Sequence, residues 1–351
     1  MKKLLCCAVL ALLMLLTYSP CPAHAESKEL LGAGATFPYP LYSKMFDTYY
    51  QAYKVKINYQ AIGSGGGIQQ LISKTVDFGG TDAFMNTREL QKAEVPILHI
   101  PTCLGAVVVT YNLPDKPKLK FTPDVIADIF LGKITRWDDP RIAAVNSDIK
   151  LPGLSIVVVH RSDGSGTTYI FSDYLTKVSK DWAFKVGADK SLNWPVGLGA
   201  KGNPGVAGLV NQTPGAIGYV ELIYTLQNNM PAGIIKNKAG NFIEPNIKST
   251  SAAANIDMPD DTRVSLTDTA AADGYPISGF TWLILYKEQN YSSDRSKERA
   301  EELVKLLWWM LHEGQQIAEP MQYAPIPSSA VTKGEQILRS VVYNGAPLLT
   351  K

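Results

Sequence analysis

The chain has 351 residues, of which 46% are hydrophobic, and its 34 basic and 32 acidic side chains give a formal net charge of +2. This length is enough for two domains, each with a sizeable hydrophobic core. A nearly neutral chain without a basic run is not a general nucleic-acid binder, so any bound anion must be held by local groups.

The N-terminal segment has the pattern of a secretory signal peptide. Lys2 and Lys3 precede an apolar run over 4–18, and a small-x-small cleavage site ends at Ala25. The apolar run is short for a membrane span, which needs about 20 residues. We therefore expect residues 1–25 to be removed on export, which leaves equal numbers of basic and acidic side chains.

Cysteine usage agrees with export of a chain that needs no disulfide. Cys6, Cys7 and Cys21 precede the cleavage site, so Cys103 is the only cysteine of the mature chain and an intramolecular disulfide is excluded. A domain of this size can bury enough core without covalent links. A lipid anchor at Cys21 is an alternative, although the residues at 18–20 fit a lipidation site poorly.

The first part of the mature chain alternates glycine loops with predicted strands and helices. A loop over 32–38 precedes a helix whose apolar stripe includes Tyr42 and Phe46. A strand over 56–62 runs into a second glycine loop, 63–67, which opens onto another helix.

Strands and one helical segment are predicted in the next part of the chain. A short strand over 76–82 ends in a polar turn, and an apolar, strand-rich stretch over 97–111 is interrupted at Gly105. The segment 121–137 has helical periodicity and stops near Gly132.

The C-terminal part contains further elements of both kinds. The turn-rich region 192–221 includes a short helix and a strand, and 224–273 is polar and weakly periodic, which predicts irregular surface structure. An apolar strand over 280–286 precedes the clearest helix, 293–318. The alternation of strands with helices predicts an α/β architecture with a largely parallel sheet.

The clearest chemical signal is a strand over 156–159 that leads through a polar loop, 161–168, into the N-terminus of a helix. The first amides of a helix have no partner within it and favour anions, and Arg161 adds a charge that can fork onto an oxyanion. In the alternative interpretation, Ser165 or Thr167 only caps the helix and Arg161 only pairs with Asp163.

Several such loops can converge on one ligand. In open α/β sheets, ligands bind beyond the carboxyl ends of the strands, where these loops gather. Four hydroxyls could donate to one oxyanion there: those of Thr36, Ser64, Ser165 and Thr167.

Motifs of other site types are incomplete. The loop 63–67 lacks the Lys and Ser/Thr that end a nucleotide phosphate loop, and neither Ser64 nor Ser165 lies in G-x-S-x-G. The segment 197–202 matches G-x-G-x-x-G but follows no strand-like run, so it is interpreted as a loop. Three histidines of the mature chain lack metal-ligand spacing: His99, His160 and His312. We expect no catalytic residue, metal or cofactor.

Asp82 is unusual because a carboxylate beside an anion is costly unless it is bonded to a proton. Phosphate near neutral pH carries such a proton, whereas sulfate does not and would be repelled. Alternatively, Asp82 is only a turn residue before Ala83.

Several motifs together resemble one family, the periplasmic phosphate-binding proteins of the bacterial high-affinity phosphate ABC importer. They occur in order over nearly the whole mature chain: GAGATFP at 32–38, YQAIGSGGG at 59–67, VDFGGTDA at 76–83, LGKITRWDDP at 131–140, RSDGSGTT at 161–168, and the later WPVGLGAKGN and PGAIGYVE.

The resemblance implies a two-domain substrate-binding fold of type II that closes over one orthophosphate in the cleft between its domains. It implies phosphate contacts from Thr36, the Phe37 amide, Ser64 and Asp82 in one domain, and from Arg161, Ser165, Gly166 and Thr167 in the other, with Asp163 orienting Arg161. The family often has a basic residue before Arg161; here it is His160, which we do not assign as a ligand.

The resemblance also implies a periplasmic location, domain boundaries and partners. Domain I is predicted over 26–108 and 278–351, and domain II over 109–277, with hinge-like closure between them. The closed complex would dock on the permease subunits of the importer. The protein itself is expected to be monomeric, non-enzymatic and without affinity for nucleic acid.

Three other functions are alternatives. A secreted phosphatase or phosphotransferase would use Ser64 or Ser165 as nucleophile, but it lacks a base and metal ligands. A binder of another oxyanion, such as sulfate or molybdate, is opposed by Asp82. A lipid-anchored or adhesive surface protein would begin at an acylated Cys21.

Overall fold

The computed structural model describes residues 29–293 and 295–349, so the predicted signal peptide and Cys21 lie outside the described residues. Within these two ranges, no helix combines the length and the apolar character that crossing a bilayer requires.

The strands form one large mixed sheet and two small sheets. In the large sheet they lie in the order β2-β1-β3-β12-β4-β8-β6-β7, with β11 paired to β12. The strands are β1 Glu29–Gly34, β2 Lys56–Ala61, β3 Phe78–Thr81, β4 Ile97–Tyr111, β5 Lys120–Phe121, β6 Val157–Arg161, β7 Leu198–Ala200, β8 Ala216–Glu221, β9 Ile234–Lys236, β10 Phe242–Ile243, β11 Leu266–Thr267, β12 Ile277–Tyr286, β13 Val342–Tyr343 and β14 Ala346–Pro347.

The helices connect these strands. The α-helices are α1 Tyr39–Tyr53, α2 Ser64–Ile72, α3 Thr87–Lys92, α4 Pro123–Phe130, α5 Pro140–Ala143, α6 Gly166–Val178, α7 Lys180–Lys185, α8 Gly202–Gln212, α9 Leu222–Gln227, α10 Ile247–Ala253, α11 Lys297–Leu311 and α12 Ser328–Arg339. Two 3₁₀ turns follow α11, at Glu313–Ile317 and Glu319–Met321.

Strand β4 joins two lobes of the large sheet. Between Ile97 and Ala106 it pairs antiparallel with β12, and between Val107 and Tyr111 it pairs antiparallel with β8. We call the part built on β2-β1-β3-β12 lobe I and the part built on β8-β6-β7 lobe II. The change of partner lies close to the expected boundary at 108/109, and the division of the chain into domains stays a prediction.

The expectation of a largely parallel sheet is wrong, because the long central strands are antiparallel. Parallel pairing is found in each lobe, where β1 pairs with β2 and β3, and β6 pairs with β7 and β8. Strands β4 and β12 cross the centre in opposite directions. Both are almost entirely buried, as strands covered on both faces are.

The predicted interruption at Gly105 is also wrong, since β4 runs through it. A Cβ at this position would come within 2.5 Å of the Phe37 ring and 3.1 Å of Glu221 Oε1. Glycine is therefore required for close packing beneath the loop that follows β1, and it does not mark a break.

The predicted C-terminal helix is confirmed as α11, which is shorter than expected. Ser296 begins it by accepting a hydrogen bond from the amide of Arg299, and the chain tightens into 3₁₀ turns after Leu311. Trp309 is buried edge-on against Tyr49 of α1 at 5.3 Å between ring centroids.

Residues 224–273 contain more regular structure than their polarity predicts. Asn246 and Ser249 form a reciprocal capping box that begins α10. The Asn237 amide donates to the carbonyl oxygens of Ala272 and Gly274. The asparagine side chains of this segment form hydrogen bonds with backbone groups and so stabilise regular structure, which is why the polar composition wrongly predicted an irregular segment.

Candidate functional site

The site residues predicted from the sequence lie at the ends of strands where the two lobes meet. Thr36 and Phe37 follow β1, Ser64 begins α2, and Asp82 follows β3, all in lobe I. In lobe II the site residues lie at the end of β6 and the start of α6: Arg161, Asp163, Ser165, Gly166 and Thr167.

Arg161 and Asp163 form a bidentate ion pair. Arg161 Nε donates to Asp163 Oδ1 at 2.7 Å, and Nη2 donates to Oδ2 at 2.5 Å. The Gly202 amide donates to the same Oδ1 at 3.0 Å. Burial raises the pKa of Asp163, but the Arg161 guanidinium and the Gly202 amide outweigh it and hold that pKa below its usual value. The guanidinium, itself buried, is therefore fixed in direction.

Ser64 lies at the contact between the lobes. Its Oγ accepts hydrogen bonds from the amides of Asp82 and Gly166, each at 3.1 Å. Beside it, the Gly65 amide donates to the Gly164 carbonyl oxygen at 2.9 Å. The two glycine loops thus touch directly, and the cleft between the lobes is closed.

Asp82 is a buried carboxyl surrounded by donors. Its Oδ1 accepts from Thr281 Oγ1 at 2.8 Å, and its Oδ2 lies 3.4 Å from Ser64 Oγ. Burial raises the pKa of Asp82 to about 7, although Thr281, Arg161 and Ser64 oppose that shift. Near neutral pH the Asp82 carboxyl is therefore present in both its protonated and its ionised form.

Ser165 caps α6, as the alternative interpretation allowed. Its Oγ accepts from the Thr168 amide at 3.0 Å, and its own amide donates to the Lys190 carbonyl oxygen at 2.9 Å. Capping uses the oxygen only as an acceptor, so the hydroxyl hydrogen can still donate to a ligand.

The ring of His160 is held outside this hydrogen-bond network. It stacks on Trp194 with centroids 4.7 Å apart, and its Nδ1 lies 3.1 Å from the Arg161 carbonyl oxygen. Burial lowers the pKa of His160. Across the described parts of the chain, no group of three or more His, Cys, Asp or Glu side chains could hold a metal ion.

The sequence interpretation missed Asn203, which lies between Thr36 and Thr167. Asn203 is the second residue of α8 and directly follows the segment 197–202, which was interpreted from the sequence as a loop. That interpretation is wrong, because the segment contains β7, paired in parallel with β6, and its last glycine starts α8 at a φ of 72°. The glycine pattern was the available signal, since it marked another strand-to-helix turn beside the site.

Comparisons with known proteins agree with this architecture. A family model described as a PBP superfamily domain matches residues 21–311. The phosphate-binding protein PstS of Haemophilus influenzae is 41% identical over 313 residues, which cover 88% of this chain and 92% of the relative. PstS of Methanocaldococcus jannaschii is 40% identical over 315 residues, covering 83% of this chain and 80% of the relative.

Solved structures share the fold at lower identity. A high affinity periplasmic phosphate-binding protein bound with phosphate aligns with a TM-score of 0.70 at 19% identity, over 88% of this chain and 93% of its own. A structure from Clostridium perfringens, described as a phosphate ABC transporter substrate-binding protein with bound phosphate, aligns with a TM-score of 0.62 at 18% identity. The alignment covers 86% of this chain and 100% of that chain. The predicted two-domain type II fold is thereby confirmed. The chain belongs to the PBP superfamily and, within it, to the family of PstS phosphate-binding proteins.

Proposed function

We propose that the protein captures inorganic phosphate between its two lobes and delivers it to the permease subunits of an ABC-type phosphate importer. The names of its relatives and the set of donors in the closed cleft support this role. The proposed phosphate contacts are Thr36, Phe37, Ser64, Asp82, Arg161, Ser165, Gly166 and Thr167, with Asp163 orienting Arg161. Capture requires no bond to be made or broken, so the protein is a binding protein and not an enzyme.

One observation carries the assignment of phosphate: the buried carboxyl of Asp82 lies among hydroxyl, amide and guanidinium donors. The donors match any oxyanion, but a carboxylate needs a hydrogen on the ligand. Hydrogen phosphate supplies one, whereas sulfate presents only lone pairs. Sulfate would place its lone pairs against the carboxylate in a buried site, which costs several kcal/mol.

Calorimetric titration of phosphate and then sulfate into phosphate-stripped protein at pH 8 tests this role. We expect tight binding of one phosphate per chain and no measurable sulfate heat. Asp82→Asn should lower the ratio of phosphate affinity to sulfate affinity at least tenfold, because an amide NH₂ can donate to sulfate. An unchanged phosphate-to-sulfate ratio in Asp82→Asn would remove Asp82 as the selector. Absence of phosphate binding by the wild type would contradict the function.

Delivery to an importer and closure are tested separately. The gene should restore phosphate uptake to a bacterium that lacks its own phosphate-binding protein, provided that its permease accepts this chain. Two lobes hinged near 107–109 and 276–278 would open when phosphate is removed. Small-angle scattering should then show a larger radius of gyration without phosphate than with it, and a single-chain mass in both states.

Export is part of the same proposal. A cleaved signal peptide would leave a mature chain that begins at Glu26. Mass spectrometry of the N-terminal peptide from cells distinguishes this from an acylated Cys21, which would anchor the protein to the membrane instead.

A further inference from the structure

We infer that Asn203 is a positioning residue, which joins the two lobes and fixes the direction in which the hydroxyls of Thr36 and Thr167 donate. This inference rests on the proposed function, because the donors it orients are those assigned to phosphate. Asn203 is fully buried at the start of α8 in lobe II.

The side-chain amide of Asn203 reaches both threonines at once. Its Nδ2 donates to Thr36 Oγ1 at 3.0 Å and to Thr167 Oγ1 at 3.0 Å. An NH₂ group has two hydrogens, so both bonds can form together. The backbone amide of Asn203 adds a third bond, to Thr36 Oγ1 at 3.1 Å.

The orientation of this amide is determined by a fourth contact. Asn203 Oδ1 accepts a hydrogen bond from the backbone N–H of Glu221 at 3.0 Å, at the end of β8. A backbone N–H can only donate, so the atom facing it must be the amide oxygen. The NH₂ group is therefore directed at the threonines.

Each threonine oxygen then receives two donors. Thr36 Oγ1 accepts from the amide and Nδ2 of Asn203, and Thr167 Oγ1 accepts from Asn203 Nδ2 and from Arg161 Nη1 at 3.3 Å. A hydroxyl has two acceptor lone pairs and one hydrogen. With both lone pairs occupied, each hydroxyl can form one more hydrogen bond only as a donor. An oxyanion, which accepts hydrogen bonds, is a ligand that fits this requirement.

The same contacts link closure to the polarity of the site. Thr36 belongs to lobe I, while Asn203 and Thr167 belong to lobe II, so Nδ2 bridges the lobes only in the closed arrangement. Lobe II also contacts the backbone of Thr36, since Oη of Tyr224, in helix α9 after β8, donates to the Thr36 carbonyl oxygen at 2.5 Å. Thr36 Oγ1 therefore receives both of its donors when lobe II arrives, which makes closure and donor orientation one event.

Asn203→Ala tests this role in phosphate-stripped protein. Removing two donors and the contact to Glu221 should weaken phosphate binding by about 10- to 100-fold, mainly through faster release. Asn203→Asp has the same shape but no NH₂ group, so its carboxylate would accept from both hydroxyls and repel the ligand. It should lose at least as much affinity. Asn211→Ala, at the exposed end of the same helix, is the matched control and should bind as the wild type does.

A double-mutant cycle separates positioning from a general structural effect. In a Thr36→Val/Thr167→Val background there are no hydroxyls to orient, so adding Asn203→Ala should change phosphate affinity by less than about threefold. An equal loss in both backgrounds would mean that Asn203 only supports the fold, and would overturn the inference. If the wild type and Asn203→Ala bind phosphate equally well, the inference about Asn203 is overturned but the proposed function is not. If the wild type binds no phosphate, both are overturned.

Discussion

The ammonium group of Lys190 lies 3.0 Å from the carboxylate of Glu89, where lobe II meets lobe I. Glu89 belongs to α3 and also completes the capping box of that helix with Asn86. Lys190 lies after α7, and its carbonyl oxygen accepts the Ser165 amide. Their side chains are only 9% and 19% exposed, so this ion pair is shielded from solvent and ties the loop behind Ser165 to the opposite lobe.

Lys190→Gln should therefore weaken phosphate binding by about tenfold. A partly buried pair of this kind is worth about 1–2 kcal/mol, between exposed and fully buried pairs, and it contributes only when the lobes touch. The substitution leaves the Glu89 capping box intact. Stopped-flow release of phosphate should show a faster dissociation rate for Lys190→Gln and an unchanged rate for Lys185→Gln on exposed α7. Equal rates for Lys190→Gln and wild type would show that the pair does not stabilise closure.

Arg161→Lys should lower phosphate affinity by about 30- to 100-fold although the charge is kept. Lysine cannot reproduce the bidentate contact with Asp163, so the cation loses its fixed direction. The chain offers a matched control, because Arg136 and Asp138 have the same spacing and the same bidentate contact on an exposed surface. Calorimetry of Arg161→Lys beside Arg136→Lys makes the comparison. A comparable small effect in both would contradict a ligand-binding role for Arg161.

The sequence predicted the local strand-to-helix turns better than it predicted the sheet. Glycine loops that end strands and begin helices are local features, and they placed Ser64 and Arg161 correctly at the ends of their elements. The pairing of β4 with both β12 and β8 depends on contacts between distant parts of the chain. Apolar runs do not reveal strand direction, so a mixed sheet could not be told from a parallel one.

Asn203 shows a second limit of sequence interpretation. Its role depends on Thr36, 167 residues away, and on Thr167, 36 residues away. The glycine pattern over 197–202 marks a turn beside the site, but an asparagine among glycines and prolines is typical of any turn, and the pattern does not show that this one bridges two lobes. The prediction of a strand break at Gly105 was wrong for the same reason, because the Phe37 ring that requires glycine there comes from another part of the chain.

Gly166→Ala should prevent closure while leaving each lobe folded. A Cβ at this position would lie 2.5 Å from Ser64 Oγ and 2.6 Å from Asp82 Cβ, both in the opposite lobe. Phosphate affinity should fall at least 100-fold, since no side chain can retreat without breaking the Ser64 contacts. Gly208→Ala in α8 is the control: its Cβ would meet nothing within 4 Å, and it should stabilise the helix by about 0.5–1 kcal/mol. Tight phosphate binding by Gly166→Ala would show that the lobes need not approach this closely.

Asp82 should make the stability of the phosphate-free protein fall as pH rises, to the extent that lobe II still covers its carboxyl in the absence of phosphate. Burial raises the pKa of Asp82 from 3.8 to about 7, so between these values the folded chain holds a proton that the unfolded chain releases. The free energy of unfolding therefore decreases with pH across this window, because the unfolded state binds fewer protons there. The full difference for a cleft that stays closed, reached above pH 7, is on the order of 4 kcal/mol, and opening of the lobes lowers it because the carboxyl becomes hydrated.

Asp82→Asn removes this titration and keeps the shape of the side chain. Urea unfolding of phosphate-free protein at pH 4, 5.5, 7 and 8 should show little difference between wild type and Asp82→Asn at pH 4. The variant should become progressively more stable than the wild type up to pH 8. Asp257→Asn, which removes an exposed carboxylate, controls for the change in net charge. Parallel pH profiles for Asp82→Asn and wild type would mean that the Asp82 carboxyl is not held in a desolvated site in the phosphate-free protein.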